Sequence, residues 1–400
     1  METSISSKKL TIRYVVYQLM YFAYAAGTSA FAATYLLAKG LNATQVGTLL
    51  ATSNLLACLA QPVIGDIVDR IKGFVLPKIM TGIFVGVIAC MVIIQFFQPP
   101  VGMMGLLYAT ILFLSSITNS LNNSLCAYYT NHGCAINYGI GQGVGSFSFS
   151  VASLGFGYIM AWWGVDSMLW TVFALAILMI ITVLGYPNIH VTEDMSIKKE
   201  KKEERVSLLV FFSKYKMFMF TMVGVMFVSM CHYMSENYFI AIFERIGGGS
   251  EDVGIGMFVA CLSAVPFFMC FEKLRMKIDI YFFMKLGGVC FMIKTVLLIM
   301  ATQTWHIYLI QLMQTVTYAA LYQPLYYMAR RRISEADLVK GQAVAISMYT
   351  LGGACGSFVG GRMLDAYGVV AMLWLALGAA FLGTLIICIT LGKRFESENK

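Results

Sequence analysis

Twelve apolar stretches, each long enough to cross a lipid bilayer as a helix, set the first constraint on this chain. They run 12–38, 44–64, 77–97, 102–127, 139–161, 165–187, 216–243, 252–272, 281–302, 304–328, 340–362 and 367–391. A hydrocarbon core of about 30 Å takes roughly 20 helical residues, and a lone segment there must satisfy its own backbone. The pattern predicts an all-α, multi-pass membrane protein with twelve transmembrane helices. Of the 400 residues 59% are hydrophobic and only 12% charged, which places most of the surface in lipid. The short polar start, residues 1–9, leads into the first apolar run without a small-residue cleavage site, so a retained membrane helix is expected there.

The net charge of +8 could point to nucleic acid, but the basic residues sit in short loops between apolar runs. With the N-terminus inside, 23 of the 28 Lys and Arg fall on the cytoplasmic side. Only Lys39, Arg245 and Arg362 fall outside, and Lys285 and Lys294 lie within spans. Positive charge concentrates on the inner side of membrane proteins, so both termini are expected in the cytoplasm of a cell with this chain in its inner membrane. The longest polar stretch, containing KKEKKEER, divides the chain near its middle. The expected organisation is a six-helix bundle over 1–187, a cytoplasmic linker over 188–213 and a second bundle over 214–400.

The two halves repeat. Gly141, Gln142 and Val144 recur as Gly341, Gln342 and Val344, and GVDSMLW from Gly164 recurs as GVVAMLW from Gly368. Val46 and Gly47, followed by ACLAQP ending at Pro62, recur as Val253 and Gly254, followed by ACLSAVP ending at Pro266. These pairs match the second span to the eighth and the fifth to the eleventh, an offset of six helices. Pseudo-symmetric six-helix bundles with a site between them are an architecture of alternating-access carriers. The fifth and eleventh spans are rich in glycine, and small residues let helices in lipid approach closely and move against each other.

GDIVDRIKG, from Gly65 to Gly73 after the second span, resembles the loop 2/3 signature GxxxDRxGR of the major facilitator superfamily. The resemblance covers essentially the whole chain and implies that family's fold, with Gly65, Asp69 and Arg70 forming a cytoplasmic gating latch. Within the family, the chain is similar to the lactose permease and nucleoside:proton symporter group. Tyr138, Gly139, Gly145, Ser146 and Phe149 match that group's fifth helix, and the stretch from Gly341 to Gly368 follows its pattern. Gln142 stands where the group has arginine, and Asn119, Asn122, Asn123 and Ser124 occupy the region of its acidic partner. Lys294 sits where a ninth-helix arginine is usual. Neutral Ala319, Tyr322 and Gln323 replace the permease's His and Glu pattern, so its sugar chemistry is not carried over.

An ionised group within a bilayer persists where it is paired, wetted or used. Of the twenty acids only Glu236 lies clearly within a span, with His232 one turn before it and Lys294 the one base well inside. Burial favours a protonated acid and a neighbouring ammonium favours the carboxylate, which makes this trio the candidate for proton coupling. Substrate binding and a solvated structural site are the alternatives for Glu236. Gln18, Tyr21, Asn119, Asn122, Asn123, Gln142, Gln314, Tyr318 and Tyr322 are the candidate substrate-binding residues, since amides and phenols bind hydroxyl-rich or heterocyclic solutes. Helical spacing further places Gln311, Gln314 and Tyr318 on one face.

The spans hold no His/Asp/Glu metal cluster, no Ser/His arrangement in a recognisable setting and no phosphate-binding loop. Catalytic residues, metals and cofactors are therefore not expected, and the chain is not read as an enzyme. The ten cysteines form no CxxC pair and read as small apolar side chains. The expected function is secondary active transport of a small polar organic solute, taken up with protons: a sugar, glycoside or nucleoside. The alternative is a proton-coupled exporter of drugs or metabolites. The expected partners are the substrate, protons and lipid, not nucleic acid, and the expected state is a monomer.

Overall fold

Helices account for nearly all of the residues that the computed structural model describes, 7–70, 76–131, 138–186 and 208–392. The chain divides into two compact units, one of 1–195 with Gly248–Leu262 and the other of Ser196–Gly247 with Ser263–Lys400. In chain order, α1 runs Ser7–Ala25, loosens into a π-helical turn at Ala26–Ala30 and resumes over Ala32–Ala38. It is followed by α2 (Ala43–Arg70), α3 (Leu76–Phe97), α4 (Val101–Asn131), α5 (Tyr138–Trp163) and α6 (Asp166–Leu184). A short helix, Leu208–Lys214, leads into α7, which runs Lys216–Asn237, breaks at Tyr238 and continues over Phe239–Glu244. Then come α8 (Ser250–Lys277) and α9 (Ile280–Met300). α10 consists of Thr304–Gln311, a 3-10 turn at Leu312–Thr315 and Tyr318–Arg332. The last helical stretch, Leu338–Thr390, turns at Gly368, which separates α11 from α12.

These twelve rods fall on the twelve apolar runs. Nine helices among the described residues are long and apolar enough to span a membrane as they stand. Leu338–Thr390 counts once among them although it holds two rods. α10 is divided by its break, and α1 is divided too and opens on Lys8, Lys9 and Arg13.

The internal repeat is written into the backbone. Among the described residues the positive-φ glycines are Gly40 (92°), Gly164 (82°), Gly247 (82°) and Gly368 (81°). Gly164 and Gly368 open the two copies of the GV…MLW motif; Gly40 and Gly247 each stand six residues before the repeated VG pair. A side chain at such a φ costs about 1 kcal/mol or more, so each of these four turns is held by the one residue that lacks a Cβ.

Within the first unit, α5 lies close on α1. A Cβ added to Gly141 would collide with the Tyr14 ring, and one on Gly145 with the Phe22 ring. Ser148 Oγ donates to Leu19 O at 2.6 Å across the same contact. In the second unit α11 packs on α7 through Gly352, Gly353, Gly356 and Gly360, which face Ser229, Tyr233, Met230 and Tyr238. The glycine-rich helices are close-approach surfaces of matching kind, α5 on α1 and α11 on α7.

The breaks in α1, α7 and α10 are interruptions that hydrophobic periodicity did not foretell. Side chains at these breaks bond to neighbouring helices, and at the α1 break a backbone carbonyl takes such a partner, as lipid requires of a freed backbone group. At the α1 break Thr28 O accepts from Tyr108 Oη at 2.9 Å. At the α7 break Asn237 Nδ2 and Tyr238 Oη donate to Ser357 Oγ and O at 2.6 and 2.5 Å. At the α10 break Thr315 Oγ1 donates to Ser263 O at 2.6 Å. The regular face expected for Gln311, Gln314 and Tyr318 is thus not formed: Leu312–Thr315 is 3-10, and Thr317 has left helical geometry (φ −102°, ψ −86°).

Candidate functional site

Among the described residues, each unit buries a connected polar group within its helical rods. In the second, Lys294 Nζ on unbroken α9 lies 3.4 Å from Glu236 Oε1 and donates to Gln314 Oε1 at 2.7 Å. Glu236 is the penultimate residue before the α7 break, and Gln314 sits inside the α10 break. The last carbonyls of a helix carry partial negative charge, so a carboxylate there is unfavourable by itself and an ammonium beside it is favourable. Lys294 answers both features. Its side chain is 4% exposed and that of Glu236 15%.

His232 completes the expected trio. Its Nδ1 is 4.0 Å from Glu236 Oε1, beyond hydrogen-bond range, and this buried nitrogen has no hydrogen-bond partner among the described residues. The imidazole stacks on Tyr318 (centroids 5.2 Å apart, 23° between planes), and Tyr318 stacks on Tyr322 at 5.4 Å and 20°. Tyr349 meets Tyr322 and Tyr233 edge-on at 5.2 and 5.8 Å. This aromatic column leads from the buried His232 to the exposed Tyr322, and it is continuous with the ion pair through His232 and Glu236.

In the first unit the group is neutral. Asn122 Nδ2 donates to Gln18 Oε1 at 2.7 Å, and Gln18 Nε2 donates to Tyr14 Oη at 2.5 Å. Gln18 and Asn122 are almost wholly buried, and Asn122 Oδ1 and Tyr17 Oη have no hydrogen-bond partner among the described residues. Tyr21 stacks on Tyr17 at 6.1 Å. Apolar walls around amides left partly unsatisfied resemble the makeup of small-solute pockets.

The remaining candidates are dispersed. Asn119 is exposed and Gln142 half-buried, and neither joins the Tyr14–Gln18–Asn122 group. The side chain of Asn123 lies outside the described residues, as do those of Gly65, Asp69 and Arg70, whose backbone forms the last turns of α2. Sequence reasoning passed over Tyr14, Tyr233 and Tyr349. Tyr14 carried a usable signal, since it stands one helical turn before Gln18. Tyr349 carried none, because its place depends on how α11 packs against α7.

At the end of the second unit, Lys214 Nζ pairs with Asp337 Oδ2 at 2.9 Å, and Tyr215 Oη donates to the same oxygen at 3.0 Å. The Lys214 hydrogen bond is the largest cause holding the Asp337 carboxyl below the usual carboxylate range. The bond to Asp337 likewise raises the Lys214 ammonium.

Twelve apolar rods with matched turns and buried polar groups define a multi-pass membrane transporter of the major facilitator fold. The chain belongs to the MFS_1 like family, which matches residues 11–376. Two solved structures share its fold: the nucleoside transporter NupG (TM-score 0.77, 14% identity, covering 96% of this chain and 98% of that one) and a point mutant of it (TM-score 0.76, 14% identity, 96% and 99%). No curated protein matches the sequence.

Proposed function

We propose that the protein is a secondary active transporter that takes up a small polar organic solute together with protons by alternating access. The observation that carries this reading is the Glu236–Lys294–Gln314 constellation. Neutralising a buried acid leaves its base as an uncompensated charge, so exchange of a proton at this pair would be tied to rearrangement of the groups around it. Lys294 has Gln314 as a second acceptor, and His232 stands beside the acid with a nitrogen that has no hydrogen-bond partner among the described residues.

Nucleosides are the first solutes to test, then glycosides and sugars. Support comes from the His232–Tyr318–Tyr322 column, which offers stacking faces to a heterocycle, and from the fold shared with a nucleoside transporter. Gln18, Tyr21, Asn119, Asn122, Asn123, Gln142, Gln314, Tyr318 and Tyr322 are the proposed substrate contacts, and Gly65, Asp69 and Arg70 the proposed gate. The chain works as a monomer in the inner membrane with both termini cytoplasmic, its bundles spanning 1–187 and 214–400 with a linker at 188–213.

The test is uptake of radiolabelled uridine, and of glycosides and sugars, into proteoliposomes under an imposed pH gradient. Wild type accumulates a substrate above its equilibrium level, and Glu236→Gln only equilibrates it. Accumulation by Glu236→Gln equal to wild type removes the coupling role.

A further inference from the structure

The first unit has a cavity of about 290 Å³ where the ends of α1 and α3 meet the starts of α4 and α6, and none of the Tyr14–Gln18–Asn122 group lines it. Its polar lining is Tyr35, Lys39, Gln95, Gln98 and Asp166. We infer that this cavity is a second binding site, one that takes a hydroxyl-rich solute through a pair of neighbouring hydroxyls.

The internal repeat shows that this polar set is not part of the scaffold. Counted from the matched glycines, Tyr35 and Lys39 correspond to Ile242 and Ile246, and Asp166 corresponds to Val370. The second unit makes the same positive-φ turns with three aliphatic residues at those places, so the turns do not need the polar set. Its corner is also closed. Arg245, which stands where the first unit has Ala38, donates to Leu298 O and Ala301 O at 2.9 and 3.0 Å, at the end of α9. Ala38 has no side chain that could close the first unit in this way, and there the corner stays open.

Tyr35 is wholly buried, with its ring stacked on Tyr108 (5.3 Å, 18°), yet its Oη has no hydrogen-bond partner among the described residues. A buried hydroxyl left in that state costs free energy that a ligand hydroxyl recovers. Beside it, Lys39 Nζ pairs with Asp166 Oδ1 at 2.5 Å and lies 5.8 Å from the Tyr35 ring, so phenol and ion pair form one cluster. The two charged side chains are 30% and 51% exposed and can be reached from outside. One contact leaves an ammonium with further donors and a carboxylate with further lone pairs, so two adjacent hydroxyls can bridge the pair without opening it. Gln95 and Gln98 bring amides that donate and accept. One lysine and one aspartate cancel, which suits a neutral polyol better than a phosphate or a cation. An exposed pair of this kind adds little to stability by itself. The volume is close to the lower bound of small-solute pockets, about 300 Å³.

The experiment measures acetylation of Lys39 in the purified full chain by an N-hydroxysuccinimide ester, read by mass spectrometry of its peptide. The probes are uridine, methyl ribofuranoside and methyl galactopyranoside, each with neighbouring hydroxyls, at rising concentration. At least one slows Lys39 acetylation saturably in wild type, and the same probe with those hydroxyls replaced by hydrogen does not. Tyr35→Phe keeps the stacked ring and removes only the unpartnered Oη, so it unfolds no earlier than wild type but raises the half-protecting concentration about fivefold. Asp166→Asn raises it about tenfold, the larger effect of a charged acceptor. Arg362→Gln, which removes a charge elsewhere, leaves it unchanged. Protection by none of the probes, equal protection by the deoxygenated probe, or wild-type protection in both Tyr35→Phe and Asp166→Asn overturns the inference. So does slower acetylation in phosphatidylglycerol nanodiscs than in phosphatidylcholine nanodiscs without added solute, which would assign the cavity to a lipid head group. Solute accumulation by proteoliposomes with no protection at Lys39 defeats this inference alone and leaves the transport reading standing.

Discussion

The two units bury polar groups of opposite character. The first holds a neutral relay, Asn122 to Gln18 to Tyr14, between α4 and α1; the second holds an ion pair, Glu236 with Lys294, set among an amide and an imidazole. Both rest on rods that came from the same duplicated pattern, with matching positive-φ turns and matching glycine contacts. The difference shows that a repeat can preserve its scaffold while its halves specialise. A neutral relay can reorganise around a solute at small electrostatic cost, whereas a buried ion pair makes any change of charge expensive unless a proton accompanies it.

The contrast can be broken most severely at Lys294. Lys294→Met leaves Glu236 as an unpaired acid, and the protein is expected to lose about 3–5 kcal/mol of stability at neutral pH in detergent unfolding. Adding Glu236→Gln restores most of it, because the stranded charge is then gone. If the double variant is no more stable than the single one, the pair is not the energetic unit of the second group.

The glycine contacts come next. Gly356→Ala would put a Cβ about against the Met230 carbonyl, where the ideal position is 2.5 Å from the oxygen. A backbone atom cannot rotate aside, so a loss of about 1–3 kcal/mol is expected, read as a lower unfolding midpoint. A smaller effect is expected from Gln18→Leu in the first unit, about 0.6–1.7 kcal/mol, the range measured for interhelical hydrogen bonds in lipid. Should Gln18→Leu cost as much as Lys294→Met, the division into neutral and charged groups would lose its meaning.

The smallest shift belongs to Asp337→Asn. A carboxyl held below its ordinary range contributes stability that is present above that range and lost as pH falls through the lowered value. Lys214, held above its ordinary range, contributes stability present below it and lost at alkaline pH. Asp337→Asn is therefore expected to lower the unfolding midpoint slightly at neutral pH and to match wild type in strong acid. A deficit that persists in acid would mean that packing, and not this ion pair, holds Asp337.

Much of the scaffold was legible in the sequence because length and apolarity are local properties. The turns at Gly164 and Gly368 could be paired by eye, since the repeated motif begins with them. The breaks could not. The α10 break, LMQTVT, contains neither Gly nor Pro, and α7 breaks at Tyr238 with neither beside it. Both are held by bonds from distant helices, Thr315 to Ser263 and Asn237 to Ser357, which no local pattern encodes. Glu236, His232 and Lys294 were legible together because charge is rare in lipid. That Gln314 is the Lys294 acceptor, and that Gln18 and Asn122 bond to each other, required the packing of α9 with α10 and of α1 with α4.

Substrate-induced proton movement tests the central claim most directly. Proteoliposomes in weakly buffered medium receive a transported solute, and external pH is followed with a glass electrode. Wild type and Gln18→Leu should alkalinise the medium in proportion to solute taken up, whereas Glu236→Gln should take up solute down its gradient with no pH change. Alkalinisation by Glu236→Gln at the wild-type ratio would contradict the assignment of coupling to the charged group.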